Sequence, residues 1–167
     1  KSACILLMLS ETPYSSELAI LILAFNEELK IAEVINKSKK YGYVIVVNDG
    51  SHDKTEEISR KLANLTISHK KNLGYDLSIK TGIEYILSKN FNFLITIDGD
   101  NQHPVFKIPD FVNILKSGND IVIGNRNIKI RFFERLFCLV SDIFWGVKDP
   151  MCGMKAYQTK PLKKLKT

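Results

Sequence analysis

The chain predicts an α/β fold: a mostly parallel sheet with helices packed on both faces. Three observations lead there. Short apolar runs of strand length alternate with stretches of helical periodicity. The runs are continuously apolar, as strands covered on both faces are. Four of them break into polar residues at their C-terminal ends: Asn26-Glu27, Asn48-Asp49, Asp98-Gly99-Asp100 and Asn125-Arg126. In a parallel sheet these ends share one edge, and they converge on one crevice, where open α/β sheets bind ligands.

Taken in order, residues 1–17 carry no clear pattern beyond a loop around Pro13 and read as an extension. Ala19 to Phe25 predicts the first strand, and Ile31, Val34 and Ile35 then recur at helical spacing through Lys39. Tyr43 to Val47 predicts the second strand. Asp53 is placed to cap the next helix, which carries Ile58 and Leu62, with Glu56 three residues on as its capping-box partner. Leu65 to Ser68 is a short third strand. Asn72-Leu73-Gly74 turns the chain into a helix bearing Leu77, Ile79, Ile83, Ile86 and Leu87. The run from Phe93 to Ile97 predicts the strand that ends at Asp98. Phe106 to Lys116 reads as a helix and Asp120 to Gly124 as another buried strand. With no repeat and no low-complexity segment, residues 1–167 read as a single domain.

A chain of 167 residues can bury a sizeable core. Its net charge of +6 suits anionic partners: nucleotides, lipid phosphates, a membrane face or nucleic acid. Two basic groups stand out, Lys160, Lys163, Lys164 and Lys166 at the C-terminus and Arg126, Lys129, Arg131 and Arg135 before it. Three cysteines without a Cys-x-x-Cys spacing give no disulfide framework or zinc site and fit a reducing cytosol. No apolar run reaches the length of a transmembrane helix. The missing initiator Met fits a piece of a longer protein.

Asp98 and Asp100 straddle a glycine at the end of an apolar run. Carboxylates at such a place are costly unless paired or metal-bound. Hard oxygen ligands this close suit Mg²⁺ or Mn²⁺, with a phosphate completing the shell. Asp-Gly and Asn are also common in solvated turns. The number of polar strand ends decides between the two: four carboxylates and a guanidinium together point to a phosphate-plus-metal ligand. Neither Gly-x-x-x-x-Gly-Lys nor Gly-x-Gly-x-x-Gly occurs, so a P-loop or dinucleotide fingerprint does not account for the crevice.

The chain resembles the family 2 glycosyltransferases of the GT-A nucleotide-sugar fold, and within them the dolichyl- or polyprenyl-phosphate sugar transferase branch. Five motifs carry the resemblance, in order, between residue 19 and about residue 160. They are Leu23-Ala24-Phe25-Asn26-Glu27, the stretch from Val47 to Thr55 around Asn48-Asp49-Gly50-Ser51, Asn72-Leu73-Gly74, Asp98-Gly99-Asp100-Asn101-Gln102-His103-Pro104, and the stretch from Asp149 to Tyr157. The resemblance implies that Ala24, Phe25 and Glu27 line the nucleotide pocket and that Asp49 hydrogen-bonds the base. It implies that Asp98 and Asp100 hold the diphosphate through Mg²⁺ or Mn²⁺, with Gln102 completing the metal set. It places Arg126 at the transferred or acceptor phosphate and Asp149 with Gly153 on the acceptor side, so that Asp100, Arg126 and Asp149 carry catalysis. His103 reads as a structural hydrogen-bonding residue.

The chemistry agrees with this implication. A diphosphate leaving group gains charge as the sugar–phosphate bond breaks, and a divalent ion with an arginine stabilises that charge. A phosphate acceptor is already ionised near neutral pH and needs no strong base. Departures from the family pattern are Leu23 for Pro, Asn48 for Asp, Tyr75-Asp76 where many relatives carry a basic residue, and Cys152 for Ser. The region 126–148 is short for the family and reads as a trimmed acceptor or interfacial region. Within it Phe132, Phe133, Leu136, Phe137, Leu139, Val140, Ile143, Phe144 and Trp145 fit either core packing or an interfacial helix flanked by Arg131 and Arg135.

The expected activity is inverting, metal-dependent transfer from a GDP- or UDP-sugar to a polyprenyl or dolichyl phosphate. The expected place is the cytoplasm, peripheral on the cytoplasmic face of a membrane. A glycan or protein acceptor is the first alternative. A nucleotidyltransferase is the second, although it would offer a glycine-rich basic loop where Asn26-Glu27-Glu28 stands. A nucleic-acid-binding module, suggested by charge alone, lacks any recognisable motif, so no nucleic-acid partner is expected.

Overall fold

The computed structural model describes residues 16–125, 138, 141–143 and 148–165. Its elements are β1 (Leu18–Ala24), α1 (Ile31–Ser38), β2 (Tyr43–Asn48), α2 (Thr55–Leu62), β3 (Leu65–Ser68), α3 (Tyr75–Leu87), β4 (Phe93–Asp98), a 3₁₀ turn (Val105–Lys107), α4 (Ile108–Lys116), β5 (Ile121–Ile123), β6 (Lys155–Gln158) and α5 (Thr159–Leu165). The strands form one six-stranded sheet in the order β3-β2-β1-β4-β6-β5. β1 pairs in parallel with β2 and β4, and β2 with β3. β6 runs antiparallel to both β4 and β5, so β5 points the same way as the parallel set.

All seven residues of β1 are buried because the sheet is covered on both faces. Side chains of a strand alternate between faces. Leu18, Ile20, Ile22 and Ala24 accordingly join one core, with Ile31, Val34 and Ile35 of α1 and Ile108, Val112 and Leu115 of α4. Ala19, Leu21 and Leu23 join the other, against Ile79, Ile83 and Ile86 of α3 and Leu162 of α5. Burying one such side chain contributes about 1.5–3 kcal/mol relative to leaving it in water.

The predicted mostly parallel α/β architecture is the one observed. Three local readings change. β5, read as a buried strand, lies at the edge of the sheet beyond β6 and leaves Ile121 exposed, because it has a neighbouring strand on one side alone. The first turn of α2 has no capping box: Asp53 lies one residue before the cap position and accepts from Thr55 N–H at 2.9 Å, while Glu56 pairs with Arg60 instead. The helix read from Phe106 begins as the 3₁₀ turn and becomes α-helical at Ile108, next to Pro109. Proline is tolerated in a first turn, where its missing N–H would have no partner anyway.

Candidate active site

β1, β2 and β4 end level with one another, Ala24 opposite Asn48 and Leu23 opposite Asp98. The loops that follow leave side by side: Asp49 N–H donates to Ala24 O at 2.9 Å and Gly99 N–H to Leu23 O at 2.8 Å. The loops after β1 and β2 are then laced together. Asn26 N–H donates to Ser51 Oγ at 3.0 Å, and His52 N–H donates back to Asn26 Oδ1 at 2.9 Å. Glu27 N–H donates to Thr55 Oγ1 at 2.7 Å, and Lys54 N–H to Glu28 Oε2 at 3.0 Å. Asn26 sits at φ 55, a left-handed conformation that Asn accepts more readily than most residues.

Asp49 is 5% exposed. Its Oδ1 accepts from His69 Nδ1 at 2.8 Å and from Leu73 N–H at 2.9 Å, and its Oδ2 from Gly74 N–H at 2.8 Å. Burial pushes its carboxyl up, but the hydrogen bonds from His69, Leu73 and Gly74 outweigh it and hold the pKa below the ordinary value. His69 is fixed in turn, its Nε2 lying 3.0 Å from Thr81 Oγ1 of α3. Asp49 thus ties the end of β2 to the start of α3. Sequence reasoning singled out Asp49 but not His69, which stands outside every motif.

Asp98 ends β4 with its side chain 35% exposed, and His103 Nε2 lies 2.8 Å from its Oδ2. Asp100 Oδ1 accepts from Gln102 N–H at 3.0 Å, closing the turn. Glu27 faces this pair. Burial pushes its carboxyl above the usual range; Lys30 pulls the other way, and the charges of Asp100, Asp53 and Asp98 add to the rise. Carboxylates that repel one another across a crevice make a place for a cation. Among the described residues no three His, Cys, Asp or Glu side chains group closely enough to hold a metal by themselves. That still fits Mg²⁺ or Mn²⁺, which bind through one or two carboxylates plus substrate phosphates rather than in an all-protein cage.

Tyr75 opens α3 beside the crevice. It is half exposed, yet desolvation of its hydroxyl, followed by the charge of Asp98, pushes its pKa up to about 12. A cavity of about 500 Å³ opens on the other side of Asp98, lined by Gln102, His103, Lys107, Phe111, Cys152 and Met154 among others. Asp149 is 1% exposed, at the turn where Cys152 N–H donates to Asp149 O at 3.2 Å. The structure thus brings Ala24, Phe25, Glu27, Asp49, Asp98, Asp100 and Gln102 to one sheet edge. Arg126 and most of 131–146 lie outside the described residues.

A mostly parallel sheet with carboxylates gathered at its C-terminal edge, Asp98 and Asp100 one residue apart, is the GT-A arrangement of nucleotide-sugar-dependent glycosyltransferases. The profile described as glycosyl transferase family 2 matches residues 19–135, and the chain belongs to that family. It is 38% identical over 164 residues to an uncharacterised protein of Methanocaldococcus jannaschii, an alignment covering 89% of this chain and 68% of that one. It is 28% identical to a dolichyl-phosphate hexose transferase of Haloferax volcanii, covering 87% of this chain and 68% of the relative. Among solved structures it is similar to glucosyl-3-phosphoglycerate synthase of Mycobacterium tuberculosis, crystallised with Mn²⁺, UDP-glucose and phosphoglyceric acid. There the TM-score is 0.68 at 19% identity, over 87% of this chain and 57% of that one. The chain is a glycosyltransferase, and it spans little more than half the length of that crystallised neighbour.

Proposed function

We propose that the chain transfers a sugar, with inversion, from a GDP- or UDP-sugar to a polyprenyl or dolichyl phosphate, using Mg²⁺ or Mn²⁺. The observation that carries the donor side is the gathering of Asp53, Asp98 and Asp100 near enough to Glu27 for their charges to raise its carboxyl, where the chain leaves β1, β2 and β4. Relatives named as dolichyl-phosphate sugar transferases, from Haloferax volcanii and Methanococcus voltae, support the acceptor.

In this reading Ala24, Phe25 and Glu27 line the nucleotide, and Asp49, expected to hydrogen-bond the base, has both oxygens held by His69, Leu73 and Gly74 and instead shapes the base pocket through the Leu73-Gly74 turn. Asp98, Asp100 and Gln102 hold the cation. A bound divalent ion supplies Lewis-acid stabilisation of the charge that develops on the diphosphate leaving group. Arg126 neutralises phosphate charge, and Asp149 sits on the acceptor side. The acceptor phosphate is ionised at neutral pH and attacks without a strong base. The domain works as one unit on the cytoplasmic face of a membrane.

Calorimetry of GDP and UDP binding in Mn²⁺ and in EDTA tests the donor half: binding is expected in Mn²⁺ only, and equal affinity in both would remove the metal bridge. Transfer to dolichyl phosphate compared with a free glycan tests the acceptor half, and preference for the glycan would move the chain to another branch of the family.

A further inference from the structure

Resting on the reading of Asp98 as a cation ligand, we propose that His103 and Gly153 are its positioning residues: together they lock Asp98 Oδ2 and leave Oδ1 as the oxygen offered to the cation. His103 Nε2 lies 2.8 Å from Oδ2, and the His103 side chain is 8% exposed. An ionised carboxylate only accepts hydrogen bonds, so Nε2 carries the proton that it donates. Oδ1 has no hydrogen-bond partner among the described residues.

Gly153 closes the other side. A Cβ built there would overlap Asp98 Oδ2 and stand 2.8 Å from His103 Nε2. Its backbone does not adopt a left-handed conformation, so the glycine is needed for room rather than for its φ. The glycine cannot simply retreat. Its carbonyl accepts from Thr96 Oγ1 at 2.8 Å, and Thr96 is buried in β4, two residues before Asp98. β6 begins at Lys155, paired with the same Thr96. The antiparallel strand therefore delivers Gly153 to the back of the carboxylate, and the turn after β4 delivers His103 to its side. Partners that orient a metal ligand are worth about 10–100-fold in metal affinity or activity.

The test is Mn²⁺ affinity of the full chain in saturating UDP or GDP, by calorimetry, together with the apparent KM for Mn²⁺ and kcat. His103→Leu and Gly153→Ala are each expected to weaken Mn²⁺ by about 10–100-fold and to raise the KM for Mn²⁺ more than they lower kcat. His103→Gln, whose amide nitrogen can reach Oδ2, is expected to recover affinity to within about threefold of the parent, as an orienting hydrogen bond requires. A merely structural role would lower the unfolding temperature and the active fraction without moving the Mn²⁺ constant. Unchanged Mn²⁺ affinity in folded His103→Leu overturns the proposal while leaving the cation reading intact. A parent that binds nucleotide without regard to Mn²⁺ overturns both. Should His103→Leu not fold, His103→Gln against the shorter His103→Asn decides, and equal affinity in that pair overturns the proposal.

Discussion

Both carboxylate oxygens of Asp49 hold donors of the fold itself, and this gives the residue a measurable signature. Its pKa lies below the ordinary aspartate value of 3.8 in the folded chain. A depressed folded pKa contributes stability that is present above the unfolded value and lost as pH falls through the folded one. Chemical denaturation from about pH 5 down to about pH 3 should show stability falling for the parent and a shallower fall for Asp49→Asn. The same variant turns an amide donor or a weaker acceptor toward Gly74 N–H, at a cost of about 1–3 kcal/mol near neutral pH. An unchanged slope would mean that other carboxylates carry the acid sensitivity. Asp100 has a different signature. Asp100→Ala should lower turnover by about a hundredfold or more, since even partners outside a metal's ligand shell are worth about 10–100-fold. Its unfolding temperature should stay close to the parent's, because among the described residues Asp100 holds its own turn alone, through Gln102 N–H. Near-normal turnover in a steady-state assay would take the metal away from this residue.

At the scale of elements, α3 packs tightly against β1, and a glycine permits it. Gly82 is buried, and a Cβ built there would stand 2.6 Å from Leu21 Cδ2 and 3.0 Å from its Cγ. Leu21 is fully buried in β1, so its side chain would have to shift within a packed core. Two effects oppose in Gly82→Ala. Helix propensity favours alanine by about 1 kcal/mol, and overpacking a core costs about 1–3 kcal/mol. Overpacking is expected to win, with a net loss of about 1 kcal/mol in thermal unfolding. The displacement would also reach the crevice, because α3 starts at Tyr75, directly after the Gly74 N–H that Asp49 holds. A stabilised variant would show that α3 can lift from β1 without strain.

For the whole molecule, the charge of +6 and residues 131–146 set the expected behaviour at a membrane. Among the described residues no helix is long and apolar enough to cross a bilayer. Most of 131–146 lies outside them, but Ile143, within that stretch, is exposed. A lipid-linked acceptor must present its phosphate at the crevice while its chain stays in the bilayer, and an apolar element flanked by Arg131 and Arg135 would seat the domain there. The chain should co-sediment with anionic liposomes, gaining about 1 kcal/mol per well-placed Lys or Arg and losing it with salt. A folded Phe133→Ser, Phe137→Ser double variant should pellet less. Equal pelleting of parent and variant would take the membrane role from this stretch.

The sequence by itself determined the class of the fold and the edge on which chemistry gathers. The five strands read from apolar runs are all present, each within a residue of its expected bounds; β1, β2 and β4 are buried as their runs predict, because hydrophobic burial is written locally in a parallel sheet, whereas β3 and β5 close its edges with no fully buried residue. Polar residues at the ends of β1, β2 and β4 were legible for the same reason, and the motifs they belong to carried the family. Tertiary structure alone decided the rest. β6 is four residues of mixed polarity, and nothing in Lys155-Ala156-Tyr157-Gln158 announces a strand until Ala156 pairs with Ile95 of β4 and Val122 of β5. That pairing brings Gly153 against Asp98, and the turn after β4 brings His103 to the same carboxylate. His69 likewise gains its role only because β3 places it between Asp49 and Thr81. Strand order and these contacts join residues far apart in sequence, and a one-dimensional pattern of burial records which face a residue takes, not which distant residue it will meet there.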